Sequence, residues 1–162
     1  MTTTPSLRLA RRDDIRAIAV MSRCLIEVGL RGWSWHPARV ARALYGRDSC
    51  VVVADAGTQL AGFAIAEFGD SMAHLWLLAV QPAHQRRGIG SALIDWLIES
   101  ALTAGLGRIT VQMRASNFAA RCFYQALGFS PAGELRGHYQ NVETAVCMEH
   151  RIGCLQKTNK NR

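Results

Sequence analysis

The stretch Leu75-Trp76-Leu77-Leu78-Ala79-Val80-Gln81-Pro82-Ala83-His84-Gln85-Arg86-Arg87-Gly88-Ile89-Gly90 decides how this chain is read. Its first six residues are almost wholly apolar and are stopped by Gln81-Pro82, the pattern of a buried strand. A helix follows, taken to begin at Ser91. Ile89, Leu93, Ile94, Trp96, Leu97, Ile98 and Ala101 make an apolar stripe at helical spacing, and Ser91, Asp95 and Glu99 mark the wetter side. Between strand and helix, Gly88 and Gly90 carry no side chains, so an anion can reach the backbone N–H groups that a helix start leaves unpaired. The helix dipole favours negative charge there, and Arg86 and Arg87 add fixed positive charge beside it. The stretch reads as a cradle for a diphosphate.

Two other phosphate loops are excluded. A P-loop ends in Gly-Lys-Ser/Thr, but Gly90 is followed by Ser91 and Ala92. A dinucleotide fingerprint has a third glycine three residues after the second, and Leu93 stands there.

Downstream, Gly105 and Gly107 end the helix near Ala104. Ile109, Val111 and Met113 alternate with Thr110, Gln112 and Arg114, a half-buried strand over Arg108–Arg114 that completes a strand–helix–strand unit. Asn117 caps the next helix, with Ala120, Phe123, Tyr124 and Leu127 as its buried stripe and Gly128 as its stop. Two last strands are expected at about Ser130–Leu135 and Thr144–Arg151. Upstream, Ser6–Arg11 alternates as a first strand, and Asp13 or Asp14 caps a helix buried through Ile15, Ile18, Ala19, Met21 and Leu25. Gly29–Pro37 interrupts before a second helix at Ala38–Tyr45. Its Trp33 and Trp35 either line a substrate groove or pack the two helices together. Cys50–Asp55 turns through Ala56-Gly57-Thr58 into Gln59–Phe68 as a hairpin, ahead of a strand at His74–Val80.

A chain of 162 residues fits one domain, expected over residues 1–152, with a basic tail at 153–162. No apolar run is long enough to cross a bilayer and the first residues are polar, so a cytoplasmic protein is expected. Five cysteines in no Cys-x-x-Cys pattern argue against a disulfide framework, and the five histidines form no metal spacing, so no metal is expected. The formal charge of +7 attracts polyanions, but basic residues are not interleaved with aromatics as a nucleic-acid module requires.

Gln85-Arg86-Arg87-Gly88-Ile89-Gly90 matches Gln/Arg-x-x-Gly-x-Gly/Ala, and through it the sequence resembles the Gcn5-related N-acetyltransferases (GNAT). Arg114-Ala115-Ser116-Asn117, followed by Tyr124-Gln125-Ala126-Leu127-Gly128-Phe129, is most similar to the RimI-type N-terminal protein alanine acetyltransferases within them. The resemblance implies a twisted, mixed but mainly antiparallel α/β (α+β) sheet of about six to seven strands flanked by about four helices, splayed between strands four and five. It also implies acetyl-CoA as co-substrate. The backbone of Leu78, Ala79 and Val80 would bond the pantetheine, and Gln85, Arg86, Arg87, Gly88, Ile89, Gly90 and Ser91 would hold the diphosphate. Asn117 would contact the cofactor beside the reaction centre, and Tyr124 would protonate the departing thiolate. A tyrosine, near pKa 10, is still protonated at pH 7 and able to give that proton.

One departure matters. The RimI-type glutamate five residues before the asparagine is Gln112 here, and an amide cannot serve as a base. Glu67 and His74 are the alternatives, Glu67 favoured, and a reaction with no dedicated base stays open. The expected acceptor is a protein or peptide α-amine, with Tyr139 engaging it. A small amine, such as a polyamine or antibiotic-like molecule, and a non-catalytic acyl-CoA sensor are the rivals. A monomer or homodimer is expected.

Overall fold

In the computed structural model, which describes residues 4–141 and 143–153, the chain builds one seven-stranded sheet and four α-helices. Strand β1 (Ser6–Leu9) precedes helices α1 (Ile15–Met21) and α2 (Pro37–Tyr45). Strands β2 (Ser49–Asp55), β3 (Leu60–Phe68) and β4 (Met72–Val80) follow, then α3 (Ile89–Thr103) and β5 (Arg108–Arg114). Helix α4 (Phe118–Ala126) and strands β6 (Ser130–Tyr139) and β7 (Glu143–Arg151) complete the order. The sheet runs β1-β2-β3-β4-β5-β7-β6 and is antiparallel except between β4 and β5. That parallel pair requires a crossover, and α3 supplies it. The mixed, mainly antiparallel sheet expected from the sequence is therefore present.

Two apolar layers sandwich the sheet. Along β3 the period of two sends Ala64 and Ala66 to the side of α3 and α4, and Phe63 and Ile65 to the side of α1 and α2. Strand β4 starts in step, with Ala73 and Leu75 against α3. Then the register slips: Leu75 pairs with Ala66 but Leu77 with Ile65, leaving Trp76 as a bulge. Beyond it the faces exchange, so Leu77 and Ala79 pack with α1 and α2 while Leu78 and Val80 turn toward α3. The sequence counted Trp76 within a buried run; as the bulged residue it is 41% exposed.

The bulge lies where β4 and β5 part. Their pairing covers only Met72–Leu75 against Arg108–Val111. From Trp76 to Val80, β4 has no partner on its β5 side, and β5 is held to its end by β7 instead. The sheet opens there into a wedge.

Other boundaries shift for local reasons. Strand β1 stops at Leu9 rather than Arg11, because the Asp14 carboxylate accepts from the Arg11 backbone N–H (2.7 Å) and turns the chain into a short 3-10 helix. Helix α1 continues as a π-helical turn over Ser22–Ile26. Helix α3 starts at Ile89, two residues before Ser91, and β6 reaches Tyr139, beyond Leu135. Irregular pairing near Gly133 and between Leu135 and Tyr139 hides the strand period that sequence reading needs. The expected basic tail lies, from residue 154 on, outside the described residues. No helix among the described residues is long and apolar enough to cross a membrane.

Candidate active site

The loop entering α3 has the geometry of an anion cradle. Gly88 caps the helix with φ +79°, and Arg86 also sits at positive φ (+62°), so the chain folds back tightly on itself. Gln85 Nε2 donates to the Val80 carbonyl (3.0 Å), tying the loop to the end of β4. The Gly88 carbonyl accepts from the Ala92 N–H, so the N–H groups of Ile89, Gly90 and Ser91 precede the first bonded turn. The first turn of α3 holds no acidic residue to compete for them. A Cβ built on Gly88 would meet nothing within 4 Å, the room a phosphate oxygen would need. Gly90 is constrained differently: a Cβ there would stand 3.1 Å from the Phe123 ring, so its bareness lets α3 lie against α4.

From this cradle a groove of about 1190 Å³ runs through the β4–β5 wedge to the connection between α1 and α2, above the roughly 300–1,000 Å³ of common small-ligand sites. Leu78, Ala79 and Val80 line it, as do Gln85 and Arg86. Gly88, Ile89, Gly90 and Ser91 line it at the cradle end. Asn117, Tyr124, His74, Trp35 and Tyr139 line it farther along. Three residues singled out in the sequence do not. Arg87 faces a separate small cavity beside Leu7 and Ala54. Trp33 is exposed outside the groove, and Glu67 lies off its lining at the far side of Trp76. Trp35 does both things the sequence left open: it is buried against Ile18 and Val40, and it lines the groove.

Chemistry concentrates at two points. Tyr124 is buried between Phe123 and Phe129, with ring centroids 5.0 and 5.2 Å away, and burial pushes its hydroxyl well above its ordinary pKa. It stays a proton donor at any physiological pH. Asn117 Oδ1 accepts from the Ala120 N–H (3.1 Å), so the expected cap is formed and α4 presents Tyr124 at fixed depth. Across the groove, His74 shares a face with Thr110, its register partner on β5. His74 Nδ1 lies 2.9 Å from Thr110 Oγ1, and that hydroxyl is 3.4 Å from the Ala73 carbonyl. With the hydroxyl donating to that carbonyl, it takes the imidazole Nδ1–H in turn, and in this tautomer the lone pair is on Nε2. Burial lowers the His74 pKa, partly offset by Glu67, so the ring is neutral at pH 7. Glu67 itself accepts from Trp76 Nε1 at 3.0 Å.

The far wall is held by contacts that sequence reading passed over. Glu27 is 4% exposed; its carboxylate accepts from Ser22 Oγ (3.0 Å) and from the backbone N–H groups of Ser34 (2.7 Å) and Trp35 (3.3 Å), fixing the α1–α2 connection. Arg114 reaches the same connection from β5, donating to the Val28 and Ile26 carbonyls at 2.6 and 3.0 Å. Gln140, at the β6–β7 turn, grips the Arg31 backbone from above: its Oε1 accepts the N–H (3.0 Å) and its Nε2 donates to the carbonyl (2.6 Å). The one local hint was an acidic residue closing an apolar helical stripe. Its partners lie in other elements, which no spacing rule reveals.

A wedge in a mixed sheet, opening beside a glycine-started helix, has room for a long ligand with an anionic group at the cradle and for a second reactant at its far end. The chain belongs to the acetyltransferase (GNAT) family, whose model matches residues 16–129. Among curated relatives, it is 38% identical over 96 residues to the ribosomal protein bS18-alanine N-acetyltransferase of Salmonella typhimurium, covering 57% of this chain and 65% of that protein. It is 32% identical over 110 residues to the N-alpha-acetyltransferase RimI of Mycobacterium tuberculosis, covering 65% and 68%. The match therefore spans just under two thirds of the Salmonella relative's length. Among solved structures, the ribosomal-protein-S18-alanine N-acetyltransferase of Escherichia coli superposes with a TM-score of 0.79 at 25% identity, over 95% of this chain and 97% of that one.

Proposed function

We propose that this protein is a cytoplasmic, acetyl-CoA-dependent N-acetyltransferase acting on a protein N-terminal α-amine. The observation that carries the reading is the wedge itself: β4 leaves β5 after Leu75, and the groove so opened is lined at one end by the α3 cradle and at the other by His74 and Tyr139. Family membership and the named activities of the relatives support the choice of reaction and of acceptor.

Acetyl-CoA supplies the activated acetyl thioester. Ile89, Gly90 and Ser91 would hold its diphosphate through backbone N–H groups, with Arg86 adding charge. The β4 backbone from Leu78 to Val80, without a strand partner on its β5 side and with the Val80 carbonyl held by Gln85, offers a strand-like edge for the amides of its arm. An α-amine, with an ordinary pKa near 8, is mostly an ammonium ion at pH 7 and must lose a proton before it attacks. His74 takes this role in preference to Glu67, because it lines the groove, is neutral, and can give its Nδ1–H to Thr110, which leaves Nε2 as the acceptor. Tyr124 returns a proton to the departing sulfur; the burial that raises the tyrosine also strengthens a thiolate's hold on a proton in the same groove.

The test is thiol release from acetyl-CoA with short peptides of varied N-terminus, for the wild type and Tyr124→Phe. The ring fills the same space without its hydroxyl, so folding should be kept while kcat falls by about 10²-fold. Equal rates in the two proteins would remove Tyr124 as the acid, and turnover on polyamines but on no peptide would overturn the acceptor.

A further inference from the structure

The acceptor end of the groove carries an arginine that nothing in the reaction uses. Arg39, half-buried on α2, lies over the Trp35 ring, its guanidinium carbon 4.1 Å from the ring centroid. It donates one hydrogen bond, from Nη1 to Ser34 Oγ (2.5 Å), and among the described residues no carboxylate lies within ion-pair distance of it. A guanidinium has five N–H donors in a planar fork, so most of this fork is unspent. The acids nearby are committed elsewhere. Glu27, the only carboxylate lining the groove among the described residues, is buried and hydrogen-bonded by Ser22, Ser34 and Trp35. Glu143 is taken by Ser116 and approaches Arg114, and Glu67 is taken by Trp76. His74 faces the same wall as a neutral ring.

We propose that Arg39 is a specificity-determining residue that selects acceptors bearing a carboxylate within the first residues behind the reacting amine. The inference rests on the α-amine acetylation reading. Stacking on Trp35 holds the fork in place before any acceptor arrives, so pairing costs little side-chain entropy, and its planar geometry matches a carboxylate bidentately. A basic side chain at the same place would face the Arg39 charge, and the Glu27 carboxylate is already hydrogen-bonded by Ser22, Ser34 and Trp35.

The experiment uses three hexapeptides with the same N-terminal residue and acidic (Asp-Glu), neutral (Ala-Ala) or basic (Arg-Lys) second and third positions, with kcat/KM measured for the full chain. The expected result is a preference for the acidic over the basic peptide of about tenfold or more in the wild type. Arg39→Gln should level it and Arg39→Glu reverse it, with acetyl-CoA affinity unchanged in both as the check that the groove is intact. Arg39→Lys keeps the charge but not the fork and should keep part of the preference. Equal rates on the three peptides, a basic preference in the wild type, or a preference that survives Arg39→Glu would overturn the inference while leaving α-amine acetylation standing. Turnover on none of the peptides would overturn both.

Discussion

Gly88→Ala separates the cost of a backbone conformation from the loss of a binding site. Gly88 sits at φ +79° with nothing within 4 Å of a built Cβ, so in the free protein an alanine meets strain but no collision. A left-handed non-glycine residue costs ~1–2 kcal/mol, and a domain this size loses about 2–4 °C in Tm per kcal/mol. The expected drop is therefore about 2–8 °C. Gly57, in the turn between β2 and β3, is the matched control: φ +91°, equally open, and not part of the groove lining. Gly57→Ala should lose a similar Tm. Acetyl-CoA binding should tell them apart, because the added methyl at position 88 occupies the approach to the first N–H groups of α3. Losing one hydrogen bond to a charged phosphate costs about 1.5–3 kcal/mol, or about 10- to 100-fold in Kd. The assay is thermal unfolding with calorimetric titration of acetyl-CoA into wild type and both variants. If Gly88→Ala loses stability as Gly57→Ala does but binds acetyl-CoA like the wild type, the cradle is not where the diphosphate sits. If neither variant loses stability, the strain argument itself fails.

Two further outcomes follow from titration. Since burial lowers the His74 pKa and the neutral ring is the active form, wild-type turnover should hold level as pH falls to about 6.5 and decline only below it. His74→Gln should be slower by about 10²-fold and lack that limb; an unchanged pH profile of kcat would exclude His74 as the base. At the β1 edge, Arg8 holds Asp14 (2.7 Å) and Asp55 (2.8 Å) and keeps both carboxylates below their ordinary range. Depressed folded-state values mean this stabilisation is complete above the unfolded carboxylate pKa of about 3.9 and is lost as pH falls through the lower folded values. Arg8→Met should therefore lose less stability than wild type across that acid window in urea unfolding; parallel pH curves would refute the assignment.

The strand–helix–strand unit from Leu75 to Arg114 was legible from sequence because its signals are local. Gln81-Pro82 ends a strand, two glycines open a helix, and Ile109, Val111 and Met113 repeat at the strand period. Asn117 as a cap and Tyr124 as a buried residue on the same helix were legible for the same reason, and the structure forms the cap and buries the ring. Where the alternation broke, reading failed. Trp76 belonged by composition to a buried run, yet the bulge turns it outward and exchanges the faces of every later residue in β4.

By itself, then, the sequence determined the order of the elements, the glycine-opened start of α3 and the family, because backbone periodicity, glycine and capping act over a few residues. Only the tertiary structure decided where β4 leaves β5, that His74 rather than Glu67 lines the groove, and that Arg39 stands beside Trp35 with no ion pair among the described residues. Those facts depend on which partners reach each residue across the sheet. Glu27 is committed to Ser34 and Trp35, Arg114 to the carbonyls of Ile26 and Val28, and Gln140 to Arg31. Pairings between residues up to 109 positions apart follow from packing in three dimensions and leave no period in the chain to read.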